Sequence, residues 1–148
     1  MARTIRIVIF AVLSAGVILF IFGNSVPSIP ESRETSLSVA ALLRPFLDPN
    51  YRIPDDVFHN LIRKLAHFVE FGVLGLCLTG LSAQFYWKNR LKFGVPVAGA
   101  AMVALLDEGL QYFTGRGNSI RDVGIDCAGA LCGVIFVAGL LRLLRRRR

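Results

Sequence analysis

The sequence predicts an all-α polytopic membrane protein with four transmembrane helices. Three observations predict it. Hydrophobic residues make up 54% of the 148 residues, and the mean hydropathy is +0.58. The apolar residues gather into continuous runs of membrane length. The charges collect between those runs and at their ends. The length allows one domain, 1-148.

The first run, Ile5 to Phe22, carries no charge beyond Arg6 at its start and is just long enough to cross a bilayer core as a helix. Arg3 and Arg6 at its start would also suit a cleaved signal peptide. The run is long for a signal core, and Asn24-Ser25-Val26-Pro27 is a poor cleavage site, so it reads as an uncleaved first span, about 5-22. Gly23 to Pro54 contains Pro27, Pro30, Pro45, Pro49 and Pro54 among serines and threonines. That composition predicts an irregular outer loop, about 23-64 with the segment that follows. Within it, Ser36 to Leu43 fits a short interfacial helix, which Pro45 would stop.

Pro54-Asp55-Asp56 is a helix start, because acidic residues in a first turn suit the positive end of the helix dipole. The pattern then runs on to about Tyr86. Its first part is amphipathic, and His59 there reads as interfacial. From Leu65 it is apolar enough for a second span, about 65-86, with Tyr86 and Trp87 marking the far interface. Lys88, Asn89, Arg90 and Lys92 form a basic loop. The third span, about 93-113, must continue past Leu106 through Asp107 to reach across. Gly115-Arg116-Gly117-Asn118-Ser119 is a tight turn. The fourth span is 120-144. Its Gly129-xxx-Gly133 is a close-packing pattern, which also offers a surface for a homo-oligomer.

Charge gives the orientation. Arg3, Arg6, Lys88, Arg90, Lys92, Arg142 and Arg145 to Arg148 fall on one side, the predicted cytoplasmic side. All ten acidic residues fall on the other side or at the helix ends that face it. Both termini are therefore predicted to be cytoplasmic. The net charge of +7 and the arginine tail raise nucleic acid as a partner. After an apolar run such a tail is a membrane flank, so the lipid bilayer is the expected partner and nucleic acid is not. Cys77, Cys127 and Cys132 lie inside apolar runs, without CxxC or Cys/His metal spacing, and read as packing residues.

This topology brings two charged clusters to one face. Lys64, His67 and Glu70 follow each other at i, i+3, i+6 along one side of the second span. Asp107 and Gln111 are at i, i+4, Glu108 and Gln111 at i, i+3, and Asp122 and Asp126 at i, i+4. Groups at this depth are expected to pair, for example Lys64 or Arg116 with Asp107, Glu108 or Asp122. Three chemical uses are open. His67 titrates near neutral pH and fits general acid–base chemistry with Glu70 or Glu108. His67, Glu70, Glu108 and Asp126 could hold a divalent metal, although nothing in the sequence requires a cofactor. Arg116 and Lys64, beside the glycine-rich turn, could grip a carboxylate or phosphate. The bland alternative is an ion-pair network that locks four helices together. A transporter is disfavoured, because the polar groups sit on one face and no inverted repeat is visible.

Three spaced motifs carry a resemblance. Lys64-xx-His67-Phe68-x-Glu70-Phe71-x-x-Leu74-Gly75 is followed by Asp107-Glu108-xx-Gln111-x-Phe113-x-Gly115-Arg116, and then by Asp122-xxx-Asp126-xx-Gly129-xxx-Gly133. Together they resemble the VanZ-like family, from about Ser25 to the fourth span. The resemblance implies a small integral protein of the bacterial plasma membrane. It further implies a cell-envelope role linked to resistance to the glycopeptide teicoplanin, with an envelope precursor or lipoglycopeptide-related ligand as partner. On the residues that match, it points to His67, Glu70, Glu108 and Asp122 for chemistry. Lys64, Gln111, Arg116 and Asp126 are left for ligand binding. The alternative is a non-catalytic module that shields a ligand or only packs helices.

Overall fold

A computed structural model describes residues 1–25, 29–113 and 120–146. The described chain is helical, with α1 (Ala2–Ser25), α2 (Ile29–Leu47), α3 (Asp55–Ser82), α4 (Asn89–Phe113) and α5 (Ile120–Arg146). Four helices are long and apolar enough to cross a membrane: Ala2–Ser25, Asp55–Ser82, Asn89–Phe113 and Ile120–Leu144. The protein is a multi-pass, all-α membrane protein.

Each span buries a stripe and leaves the rest of its surface apolar. On α1 the buried positions Ser14, Ile21 and Ser25 keep helical spacing, while Val8, Val12, Leu19 and Phe20 are exposed. Exposed Val69, Val73, Leu105, Leu106, Ile135 and Phe136 do the same on the other spans. Lipid solvates such side chains as well as a core does. Packing geometry and polar contacts, not hydrophobic burial, must therefore join these helices. The shared core is Ile21, Phe71, Leu74, Ala100, Val103, Ala104 and Ala130.

Helix α3 packs against the other four helices, most extensively α5. Small residues make that crossing possible. A Cβ on Gly129 would collide with the backbone carbonyl of Phe68, one on Gly133 with that of Gly72, and one on Gly75 with that of Ala130. Without side chains at these positions the two backbones touch. Gly129 and Gly133 therefore serve packing within the chain. On the other side of α3, a Cβ on Gly80 would run into the ring of Phe10 of α1.

Pro96 lies inside α4. It has no N–H to give the carbonyl of Lys92, four residues back. The Ser82 hydroxyl of α3 donates to that carbonyl instead, at 2.8 Å. A neighbour's hydroxyl thus satisfies the broken ladder, as a membrane interior demands.

The segment between α1 and α3 departs from the sequence expectation. In place of an irregular loop with a short helix at Ser36 to Leu43, α2 runs from Ile29 to Leu47 and passes through Pro45. Pro30 lies in the first turn, where a missing N–H costs nothing. Pro45 lies in the last turn, where it removes only one ladder bond. The helix then closes on a compact corner. Buried Arg44 donates to Asp55 Oδ1 at 2.7 Å, to Asp48 Oδ2 at 3.3 Å and to the Ile53 carbonyl. Asp48 accepts the backbone N–H groups of Arg52 and Ile53 at 2.9 and 3.0 Å. The Arg44 guanidinium lies 4.8 Å from the ring centres of Tyr51 and Phe58. Tyr51 holds a left-handed φ of 51°, and its N–H bonds the Asp48 carbonyl at 3.0 Å.

The second span ends at Ser82, earlier than Tyr86, and the third begins at Asn89, inside the basic stretch. Arg3 of α1 reaches this connection. It donates to the Gln84 carbonyl at 2.8 Å and lies 4.3 Å from the Tyr86 ring centre.

Candidate functional site

The end of the bundle opposite Arg3 gathers polar side chains from all four spans. Helices α3 and α5 both start at this end, so they run in the same direction. The glycine crossing fixes their register, with Phe68 against Gly129 and Gly72 against Gly133. The same register sets Lys64 against Asp122 and His67 against Asp126. Lys64 Nζ lies 3.2 Å from Asp122 Oδ1, and Arg63 Nη2 lies 3.7 Å from Asp122 Oδ2. About 6 Å deeper, one helical turn on, His67 Nδ1 lies 3.5 Å from Asp126 Oδ1. A small pocket lined by Arg63, Lys64, His67, Asp122, Ile125 and Asp126 joins the two rungs.

Helix α4 supplies the third wall. Its buried stripe of Pro96, Ala100, Val103 and Ala104 continues into Asp107, Glu108 and Gln111, so helical phase carries these polar groups inward. Asp107 is wholly buried. It accepts the Ser25 hydroxyl at 2.5 Å and the Gln111 amide at 2.8 Å. Gln111 also donates to Ser25 Oγ at 3.4 Å. Helix α1 reaches the site with its last two residues, since Asn24 Nδ2 donates to Glu70 Oε1 at 3.1 Å.

Asp126 is the outlier. It is 0% exposed, yet neither carboxylate oxygen has a hydrogen-bond donor among the described residues, and His67 Nδ1 also lacks a hydrogen-bond partner. Buried carboxylates are normally satisfied. His67, Asp107 and Asp126 each place one potential ligand atom within 4.8 Å of the others. This set differs from the expected His67, Glu70, Glu108 and Asp126. Glu70 turns to Asn24 of α1. Glu108, though buried, is not in the convergent group.

The structure therefore brings Lys64, His67, Asp122 and Asp126 together, as the spacing of α3 and α5 suggested, and Gln111 joins them through Asp107. It does not place Arg116, which lies outside the described residues together with the rest of the glycine-rich turn. The sequence reading put Asp107 in the charged cluster as a pairing partner but assigned it no chemistry or ligand, and it left Asn24, Ser25 and Arg63 out of its site. For Asp107 a signal existed: it extends the apolar stripe of α4 at i+3 from Ala104 and sits four residues before Gln111. For Asn24 and Ser25 the only signal was two polar residues directly after an apolar run.

No curated protein and no solved structure matches the chain. A model of the VanZ/LLP1 family matches residues 8–143, which takes in every residue of this cluster from Asn24 to Asp126. With all but the two ends of the sequence covered, the chain belongs to the VanZ/LLP1 family.

Proposed function

We propose that the protein works at the outer face of the bacterial plasma membrane, with both termini cytoplasmic. There its polar end binds or modifies an envelope or lipid-linked component, and so lowers susceptibility to teicoplanin. The observation that carries this reading is the pair of fully buried carboxylates, Asp107 and Asp126, beside His67 in membrane-spanning helices. Ionisable groups at such depth are costly and mark functional sites. Charge supports the orientation: the basic segments gather at the end where Arg3 meets Gln84 and Tyr86, as cytoplasmic flanks do. In this reading His67 moves a proton or holds the ligand, with Asp126 as its immediate partner. Arg63 and Lys64 at the mouth favour an anionic group on the ligand, and Arg116 is expected to contribute a bidentate grip.

His67→Gln keeps much of the polarity and removes titration. Turnover of lipid-linked envelope precursors in membranes should fall at least about a hundredfold if His67 is the acid–base group. Unchanged turnover and unchanged teicoplanin susceptibility would sink the catalytic form of the reading. Arg116→Lys separates the binding form: precursor affinity should weaken as the fork is lost.

A second reading has its own support. Lys64 and Arg63 with Asp122, and Asn24 with Glu70, each tie two helices together. On that reading the cluster is a packing network, and loss of any member lowers the amount of folded protein in the membrane.

A further inference from the structure

We propose that His67, Asp107 and Asp126 form a binding site for one divalent transition-metal ion of the zinc class. Two carboxylates are buried to 0% exposure, and the cations near them do not balance their charge. Lys64 and Arg63 are both drawn to Asp122, one turn nearer the helix ends. Ser25 and Gln111 are neutral. That leaves His67 alone to face both carboxylates, among the described residues. A dication offsets the charge of both buried aspartates, whereas a protonated His67 offsets only one.

A second observation points to a ligand. Both oxygens of Asp126 and Nδ1 of His67 lack hydrogen-bond partners among the described residues, although they face each other at 3.5 Å. With His67 neutral and its proton on Nε2, these atoms offer lone pairs to a cation. A metal held at about 2.0–2.2 Å from each ligand keeps donor atoms roughly 3–3.5 Å apart. The His67–Asp126 pair already has that spacing. Asp107 supplies the third ligand atom, within 4.8 Å of the other two. Its carboxylate is aimed by the Ser25 hydroxyl and the Gln111 amide, the outer-shell support that metal ligands usually have.

The donor set selects the class. One imidazole nitrogen with two carboxylate oxygens suits Zn²⁺, Fe²⁺ or Mn²⁺, while Ca²⁺ and Mg²⁺ prefer all-oxygen shells. Three protein ligands leave a position open, as in reactive zinc sites. The pocket past Ile125 to Asp122, Lys64 and Arg63 gives that position a way out.

The test uses the full chain in detergent micelles, stripped with a chelator, dialysed and titrated with Zn²⁺ by calorimetry. Co²⁺ serves as a spectroscopic probe. The proposal expects one Zn²⁺ per chain, displacement of Co²⁺ by Zn²⁺, and affinity at least about tenfold weaker in Asp126→Asn and His67→Gln. His59→Gln, at the other histidine, should bind as the wild type does. Zn²⁺ should also raise the melting temperature of the stripped wild type by linkage, a readout that needs no variant to fold. Failure of the wild type to hold Zn²⁺ or Co²⁺ at one per chain, with no rise in melting temperature, overturns the proposal. Equal weakening in His59→Gln and His67→Gln does so too. The envelope role is tested separately. A chain that binds zinc while its variants leave susceptibility unchanged keeps the site and loses the role. The converse keeps the role and loses the metal.

Discussion

Asp107 is wholly buried, and both of its carboxylate oxygens are in use. Ser25→Ala removes one donor and leaves the carboxylate buried, so it should destabilise the protein by about 1.5–3 kcal/mol. Thermal unfolding in detergent measures this. A loss within error would mean that the Ser25 hydroxyl is not needed. Asp48, in the corner outside the spans, allows a pH test. The Ile53 N–H holds its carboxyl below the ordinary value of 3.8, helped by the Arg52 N–H and by Arg44, and against the effect of burial. A depressed carboxyl stabilises the fold above its unfolded value, and that contribution is lost as pH falls through the folded value. Asp48→Asn should therefore melt lower than the wild type at neutral pH, and the gap should shrink once pH drops below 3.8. Lys64, His67, Asp122 and Asp126 were legible in the sequence because i, i+3 and i, i+4 spacing fixes which face they share. Ser25 and Asn24 were not, because no local pattern states how the end of α1 docks against α3 and α4. Arg44 was hidden for the same reason, since its partners depend on how the chain turns at Tyr51.

The α3–α5 crossing is the element on which the site depends. Gly129→Ala places a methyl against the Phe68 carbonyl, a backbone atom that cannot rotate away. The expected cost is about 1–3 kcal/mol, with separation of Lys64 from Asp122 and of His67 from Asp126. Gly16→Ala meets nothing within 4 Å and should be neutral or slightly stabilising. Comparing the two variants by unfolding in mixed micelles separates crowding from a general intolerance of alanine. The Pro96 repair predicts a coupling. Ser82→Ala should cost about 0.5–1.5 kcal/mol in the native background. It should cost almost nothing when Pro96→Ala restores an N–H for the Lys92 carbonyl. Additive losses would contradict the repair. Four membrane-length helices were readable because apolar length is a direct signal. The extent of α2 was not. Proline counts against helix in general, but first-turn Pro30 and last-turn Pro45 occupy the two places where a helix tolerates it. Gly129 and Gly133 were recognisable as a packing pair, yet only the assembled chain shows that α3 fills their groove.

At the scale of the whole molecule, a bundle with basic residues at one end and the buried carboxylate cluster at the other predicts one orientation in the membrane. A membrane-impermeant thiol reagent should label Asn50→Cys in intact cells and Lys88→Cys only after lysis. The reverse pattern would put the polar end in the cytoplasm and remove an extracellular ligand from the account. The most direct test of the central claim concerns Lys64, His67, Glu70, Glu108, Gln111, Arg116, Asp122 and Asp126. Each is replaced by alanine in the full chain, and membrane abundance and teicoplanin susceptibility are read from the same culture, beside cells with the wild-type chain and cells without it. The account predicts that His67, Asp122 and Asp126 variants lose protection at normal abundance. Protection that falls only in step with abundance would contradict it and leave the cluster as the packing that holds four helices together.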